Sequence, residues 1–257
     1  MNPESLPRSI YQKPKWCEEK SERDREMCFM IDCLHDIGTT QVLDVGFAGA
    51  GYIEMLTDIG IDYTGMDGDL GRITGQSICY AAETRKADIK RWNSILSKIK
   101  YIHADVIEYD SDFQYELVMS ISVIEHIVPI EYDYHYQFNF YRDLLAVESM
   151  KKLAKKYLLL TFPCGIEYIL SHYHDKLPDY LKHKWLPSGH SVLIYNEDRI
   201  KKIIGDWTVI REKYWTGYKG VYEESSKQEA LNFDCRVTLH HGLCALLLGT
   251  AQGTGGL

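Results

Sequence analysis

No C-x-x-C pair occurs among the seven cysteines, at positions 17, 28, 33, 79, 164, 235 and 244, and an odd number cannot pair completely. No apolar, signal-like segment stands near the start, where Met1 to Lys15 is charged and contains proline. Both absences fit free thiols in a reducing compartment, so the expected location is cytoplasmic. Long apolar runs are missing as well. The longest near-apolar stretch, Gly242 to Ala251, includes two glycines and is far shorter than the roughly 20 residues that cross a bilayer. No membrane partner is expected. Positive charge is also scarce: 29 lysines and arginines against 37 aspartates and glutamates leave a formal net charge of −8. Phosphate binding depends on clustered Lys and Arg displacing counterions, so a nucleic-acid partner is not expected either. Neither an internal repeat nor a Pro- or Gly-rich linker divides the chain.

What is present is an ordinary globular composition, 45% hydrophobic and 26% charged over 257 residues. A chain of this length buries roughly three quarters of its unfolded surface, enough for one sizeable core without staples. Nineteen aromatic residues are tyrosine, against seven Phe and five Trp. Tyrosine joins a large apolar face to a hydrogen-bonding tip, which serves half-buried packing and an aromatic acceptor pocket equally well.

The periodicity alternates between strand and helix. Ser21 to His35 reads as a helix with Met27, Met30, Ile31 and Leu34 on one face and Gly38 after its end. Gln41 to Val45 is a strand, Tyr52 to Ile59 a helix, and Asp62 to Met66 a second strand. A mostly polar helical stretch over 73–99 leads to strands at Tyr101 to Ala104 and Glu116 to Ser120, then a helix from Tyr141 to Lys155. Tyr157 to Phe162 is apolar but for Thr161, as a parallel strand covered on both faces requires. Asn196 caps a helix from Glu197 to Ile204, and Trp207 to Arg211 and Leu243 to Leu248 are the last strands, flanking a Tyr-rich excursion whose ends could pair as a hairpin. The order predicts an α/β fold with a doubly wound, mostly parallel sheet.

In such sheets a ligand lies across the carboxyl ends of the strands. The first strand ends in Asp44-x-Gly46-x-x-Gly49-x-Gly51, where missing side chains let backbone approach a ligand. The second closes on Asp67, 21 positions after Gly46, about the spacing at which a carboxylate grips the ribose hydroxyls of a bound nucleotide. Nicotinamide and flavin sites favour G-x-G-x-x-G, whereas this turn reads G-x-x-G-x-G with an acidic residue two positions before it.

With Tyr63-Thr-Gly-Met-Asp67, His103-Ala-Asp105-Val106, Glu116 to His126 and Leu158-Leu-Leu-Thr-Phe-Pro-Cys-Gly165, the chain resembles the class I S-adenosylmethionine-dependent methyltransferases. The likeness is strong over about residues 41–165 and loose in the C-terminal strands. It implies a Rossmann-like sheet of seven strands with an antiparallel C-terminal strand, and S-adenosylmethionine as cofactor. It also implies roles at matching positions. Asp44, Gly46, Phe47, Gly49 and Gly51 would bound the methionine end, Asp67 the ribose, Asp105 the adenine amino group with Val106 against the ring, and Ile121 the segment beneath it. The family's usual turn is G-x-G-x-G, so this one carries an extra residue. On this reading the chain is a single domain over 1–257, with a helical cover (1–40), a cofactor-binding core (41–165), an acceptor-side segment with the C-terminal strands (166–250) and a tail (251–257).

The implied reaction is attack by an acceptor on a sulfonium methyl, for which the protein aligns donor and acceptor and, for a hydroxyl, removes a proton. His126, just past a strand end, is the first candidate base, with Glu125 beside it; capping of the following helix is an equally open role for the pair. His172 and His174 lie in a long connection and are the next candidates, with His190; His240 and His241 are expected away from the site. Tyr132, Tyr134 and Tyr136 could wall the pocket or pack an extended segment. Some relatives bind a divalent metal through Glu-x-x-Glu-His here, but Ser122 replaces the first glutamate, so no metal is expected. The expected acceptor is a small molecule, a sugar or metabolite hydroxyl, and a homo-oligomer is compatible with the composition. N-methylation of a small amine, an NAD-dependent oxidoreductase and a catalytically silent cofactor-binding partner subunit remain alternatives.

Overall fold

A computed structural model describes residues 20–48, 51–73, 90–127, 141–166, 168–170, 192–218, 220–234 and 241–250. Its frame is an eight-stranded sheet in the order β3-β2-β1-β4-β5-β10-β8-β9. β1 (Gln41–Val45), β2 (Asp62–Asp67), β3 (Lys100–His103), β4 (Tyr115–Ile121) and β5 (Ala154–Cys164) run parallel. β10 (Gly242–Gly249) lies antiparallel between β5 and β8 (Thr208–Tyr218), as the expected C-terminal strand does. The sheet holds one strand more than the seven expected, because β8 continues to Tyr218 and β9 (Val221–Glu224) folds back on it. A separate two-stranded ribbon pairs β6 (Tyr168–Leu170) with β7 (Val192–Ile194).

Local chemistry accounts for the helices. α1 (Glu22–Ile37) opens on a reciprocal cap in which the Ser21 hydroxyl accepts from the Asp24 amide while the Asp24 carboxylate accepts from the Ser21 amide. It ends at Gly38, whose φ of 61° is open to a residue without Cβ. α2 (Ile53–Asp58) and the short α3 (Leu70–Ile73) follow β1 and β2, and residues 90–96 are helical before β3. α4 (Arg142–Leu153) runs directly into β5. α5 (Glu197–Ile204) begins where the Asn196 side chain accepts from the Arg199 amide, and α6 (Lys227–Leu231) carries a second reciprocal cap between Ser226 and Glu229.

Apolar side chains from the two faces of the sheet form two cores. Leu43, Val118, Leu158 and Leu160 meet α4 and α5 on one side; Val42, Leu117, Met119 and Leu159 meet α1 and α2 on the other. That is why β10, and β5 from Tyr157 on but for Thr161, are apolar without alternation: every residue of β10 is buried. At about 25 cal/mol per Å2 of apolar surface removed from water, such doubly covered central strands dominate the stabilisation. Among the described cysteines Cys33, Cys164 and Cys244 are buried and free, and burial pushes the Cys33 thiol up to about 12. Cys28 is disulfide-bonded, which corrects the expectation of free thiols throughout. No helix among the described residues is long and apolar enough to cross a membrane.

Candidate active site

The strand order reverses at β1: β2 and β3 lie on one side of it and β4 and β5 on the other. This is where an open α/β sheet leaves a crevice at its carboxyl edge. Register brings the closing residues of neighbouring strands side by side, with Val45 opposite Met66, Asp67 opposite His103, and Ile121 opposite Thr161.

Gly46 turns the chain out of β1 with φ of 84°, and its amide donates to the Met66 carbonyl at 2.7 Å. A Cβ here would stand 2.4 Å from Val123 Cγ2 and 2.5 Å from Cγ1, so only glycine fits. The Ser120 hydroxyl ties β4 to the same turn by donating to the Val45 carbonyl at 3.2 Å. Phe47 turns its ring inward, fully buried, 5.9 Å from the Trp92 ring and over Gly65, where a Cβ would meet the Phe47 ring at 2.4 Å. Gly51 stands just before α2 in open space. Gly49 lies outside the described residues.

Three carboxylates follow on successive strands. Asp44 on β1 is buried and accepts from the Tyr63 hydroxyl at 2.5 Å and the Tyr52 hydroxyl at 2.8 Å, both on Oδ2. Burial pushes its carboxyl up to about 7 although both phenols favour the ionised form. Its Oδ1 is buried with no hydrogen-bond partner among the described residues. Asp67 closes β2, 7% exposed, and accepts from the Asp69 amide at 2.9 Å. Asp105, just past β3, caps the Ile107 amide at 2.9 Å and forms an ion pair with Arg142. Val106 and Ile121 are buried beside the rim.

At the end of β4 the backbone is strained. Ser122 has φ of 50°, a left-handed conformation that a non-glycine residue holds at a cost of about 1–3 kcal/mol. Its amide donates to the Thr161 carbonyl at 3.1 Å and the Thr161 hydroxyl at 3.0 Å. The hydroxyls of Ser122 and Thr161 both donate to Glu26 Oε1, the latter at 2.6 Å, while Arg23 Nη1 lies 2.9 Å from Glu26 Oε2. Glu26, fully buried on α1, thus clamps the covering helix to the ends of β4 and β5. No sequence signal singles it out, because a glutamate on an amphipathic helix reads as solvated until its partners 96 and 135 residues away are known.

Beyond this clamp lies a cavity of about 590 Å3. A 3-10 turn over Ile124–His126 brings Glu125 and His126 to one wall, with Glu125 Oε1 3.9 Å from His126 Nε2. Glu22 and Arg23 of α1 line a second wall, and Tyr222 and His241 a third. Burial holds the Glu125 carboxyl well above the ordinary range; Glu26 and Glu22 push the same way and Arg23 opposes them. His241 accepts or donates at 3.5 Å to the Tyr222 hydroxyl and stands 3.7 Å from Glu22 Oε2. Its place corrects the expectation that it lies away from the site. β10 is antiparallel, so the residue before it sits at the carboxyl edge of β5, where Gly242 pairs with Cys164. His172, His174 and His190, with Tyr132, Tyr134 and Tyr136, lie outside the described residues.

Among proteins of known sequence, the ubiquinone biosynthesis O-methyltransferase of Rickettsia bellii is 27% identical over 153 residues, 58% of this chain and 57% of the relative. The match therefore spans little more than half the length of that curated relative. The N-methyltransferase NodS from Bradyrhizobium japonicum WM9, crystallised with S-adenosylhomocysteine, superposes with a TM-score of 0.52 at 14% identity, covering 95% of each chain. The 1,6-didemethyltoxoflavin-N1-methyltransferase of Burkholderia thailandensis gives 0.50 at 11% identity over 91% of this chain and 80% of that one. At these identities the structures share a fold. No family model matches the chain.

Proposed function

We propose that this chain, whose fold is that of the class I methyltransferases, binds S-adenosylmethionine at the carboxyl edge of β1, β2 and β3 and transfers its methyl group to a small molecule. The observation that carries the reading is that Asp44, Asp67 and Asp105 stand at or just past the carboxyl ends of three neighbouring strands beside a turn that only glycine can make. The residues fit the cofactor. Asp44 Oδ1, buried and unpartnered among the described residues, is an acceptor suited to an ammonium donor at the methionine end. Asp67 receives the ribose hydroxyls, while Asp105 with Val106 receives the adenine. Phe47 contributes only backbone, since its ring belongs to the core.

Bound there, the cofactor would supply an activated methyl group for an acceptor oxygen, its sulfur keeping the electron pair of the carbon–sulfur bond as the leaving thioether. The chain's own work is to align the acceptor, exclude water and take the hydroxyl proton. His126 takes it, from a cavity wall next to the end of β4. A hydroxyl acceptor, on a sugar or another metabolite, is supported by imidazoles on two walls, because an oxygen nucleophile needs proton removal that a neutral amine does not.

Calorimetry with S-adenosylmethionine, S-adenosylhomocysteine and NAD tests the cofactor. Saturable binding of the first two and none of NAD is expected; the reverse pattern makes the chain an oxidoreductase. Methyl release over a broad acceptor panel then separates an enzyme from a silent partner subunit.

A further inference from the structure

Among the described residues at the cavity, carboxyl groups outnumber fixed cations: Glu22, Glu125 and, just behind the wall, Glu26 face the guanidinium of Arg23. That guanidinium is already engaged, with Glu26 at 2.9 Å and the Ile121 carbonyl at 3.5 Å. Glu26 Oε1 in turn accepts from two hydroxyls, and its Oε2, which makes no hydrogen bond among the described residues, is ion-paired with Arg23. Glu125 is different. It is 3% exposed, it lines the cavity, and its Oε2 has no hydrogen-bond partner among the described residues. A buried carboxyl oxygen without a donor is costly, so the site is completed by something that brings both a donor and positive charge.

A metal ion answers this poorly. Among the described residues no three His, Cys, Asp or Glu are grouped to hold one, and Arg23 on the adjoining wall repels a dication. A volume of about 590 Å3 is instead that of an organic ligand's pocket. Tyr222, His241, His126 and Ser122 supply donors and acceptors that hydroxyl groups need.

We propose that the acceptor carries an ammonium group as well as its reacting hydroxyl, and that Glu125 binds the ammonium. The substrate class is then a small amino alcohol, aminophenol or amino sugar. This assignment rests on the methyl-transfer reading above and adds to it the charge of the acceptor. The ammonium donates to Glu125 Oε2 and supplies the positive charge that favours its ionised form against burial and the neighbouring Glu22 and Glu26; an amide or a hydrogen in its place brings no charge and leaves the oxygen poorly satisfied.

The test is calorimetry on the full chain saturated with S-adenosylhomocysteine, using two matched pairs: glucosamine against N-acetylglucosamine, and tyramine against 4-ethylphenol. In at least one pair the amine binds about tenfold or more tightly than its neutral partner, and Glu125→Gln removes that preference while keeping S-adenosylhomocysteine affinity. If Glu125→Gln does not fold, Glu125→Asp, which withdraws the charge by one methylene, replaces it and weakens amine binding at least threefold, an order-of-magnitude expectation for a lengthened charged hydrogen bond. Neutral members binding as well as the amines, neither amine binding, a preference that survives the substitution, or Glu125-dependent binding of magnesium alone overturns the proposal. Wild-type chain that does not bind S-adenosylhomocysteine is a separate result, seen before any probe is added, and it removes the methyl-transfer reading itself.

Discussion

Replacing Gly46 with alanine adds a single carbon where two separate constraints act. The backbone is at φ of 84°, and a residue with Cβ pays roughly 1–2 kcal/mol for the left-handed region. The new carbon also stands 2.4 Å and 2.5 Å from the two γ-carbons of Val123, against an ordinary carbon–carbon contact of about 3.5–4.0 Å. Because both γ-carbons are in the way, rotating Val123 cannot clear them, and overpacking of this kind costs about 1–3 kcal/mol. Gly46→Ala is therefore expected to destabilise the fold by about 2–5 kcal/mol, read from urea unfolding of the free protein. The two parts can be separated. Adding Val123→Ala removes the two nearest collisions and leaves the Val123 Cβ at 2.9 Å together with the backbone strain, so the double variant recovers part of the roughly 1–3 kcal/mol of overpacking relative to the sum of the single effects. A loss under about 0.5 kcal/mol for Gly46→Ala, or strict additivity in the cycle, refutes the account of this turn.

Asp67→Ala is expected to weaken S-adenosylmethionine binding by about 10- to 100-fold in calorimetry, since hydrogen bonds to a charged carboxylate contribute about 1.5–3 kcal/mol each; unchanged affinity removes Asp67 from the ribose. For Asp44, whose folded carboxyl sits at about 7 against about 3.9 unfolded, the free folded protein keeps a proton that the unfolded chain has released between these values. Stability accordingly falls as pH rises from about 4 to 7 and is flat above. Asp44→Asn lacks this titration, so its stability relative to wild type rises by up to about 4 kcal/mol across that window, and a pH-independent difference in urea melts contradicts the assignment. His126→Ala should lower turnover about 100- to 10,000-fold with little change in cofactor affinity; normal turnover in His126→Ala, with a fall in His241→Ala, transfers the base to His241.

Much of the scaffold is legible locally because its signals are near-neighbour effects. The Asn196 cap and the stop at Gly38 satisfy backbone groups within three or four positions, so α1 and α5 appear within two residues of their observed bounds. The unalternated run Tyr157 to Phe162 announces a strand covered on both faces, and β5 is that strand. Asp44, Gly46 and Asp67 could be picked out because strand ends in an α/β sheet share one edge whatever the loops do. The full length of β8 and its hairpin with β9 could not, since they depend on a partner strand rather than on periodicity.

Composition and local pattern were thus enough to determine β1 to β5, the central part of β10, the Asn196 cap and the acidic strand ends, since each depends on residues a few positions apart. Only the tertiary structure decided that Glu26 joins Ser122 and Thr161, that His241 returns to the carboxyl edge, and that Glu125 Oε2 is buried without a donor among the described residues. Those facts depend on strand order and direction, which bring together groups a hundred or more residues apart and set which carboxyl loses its water.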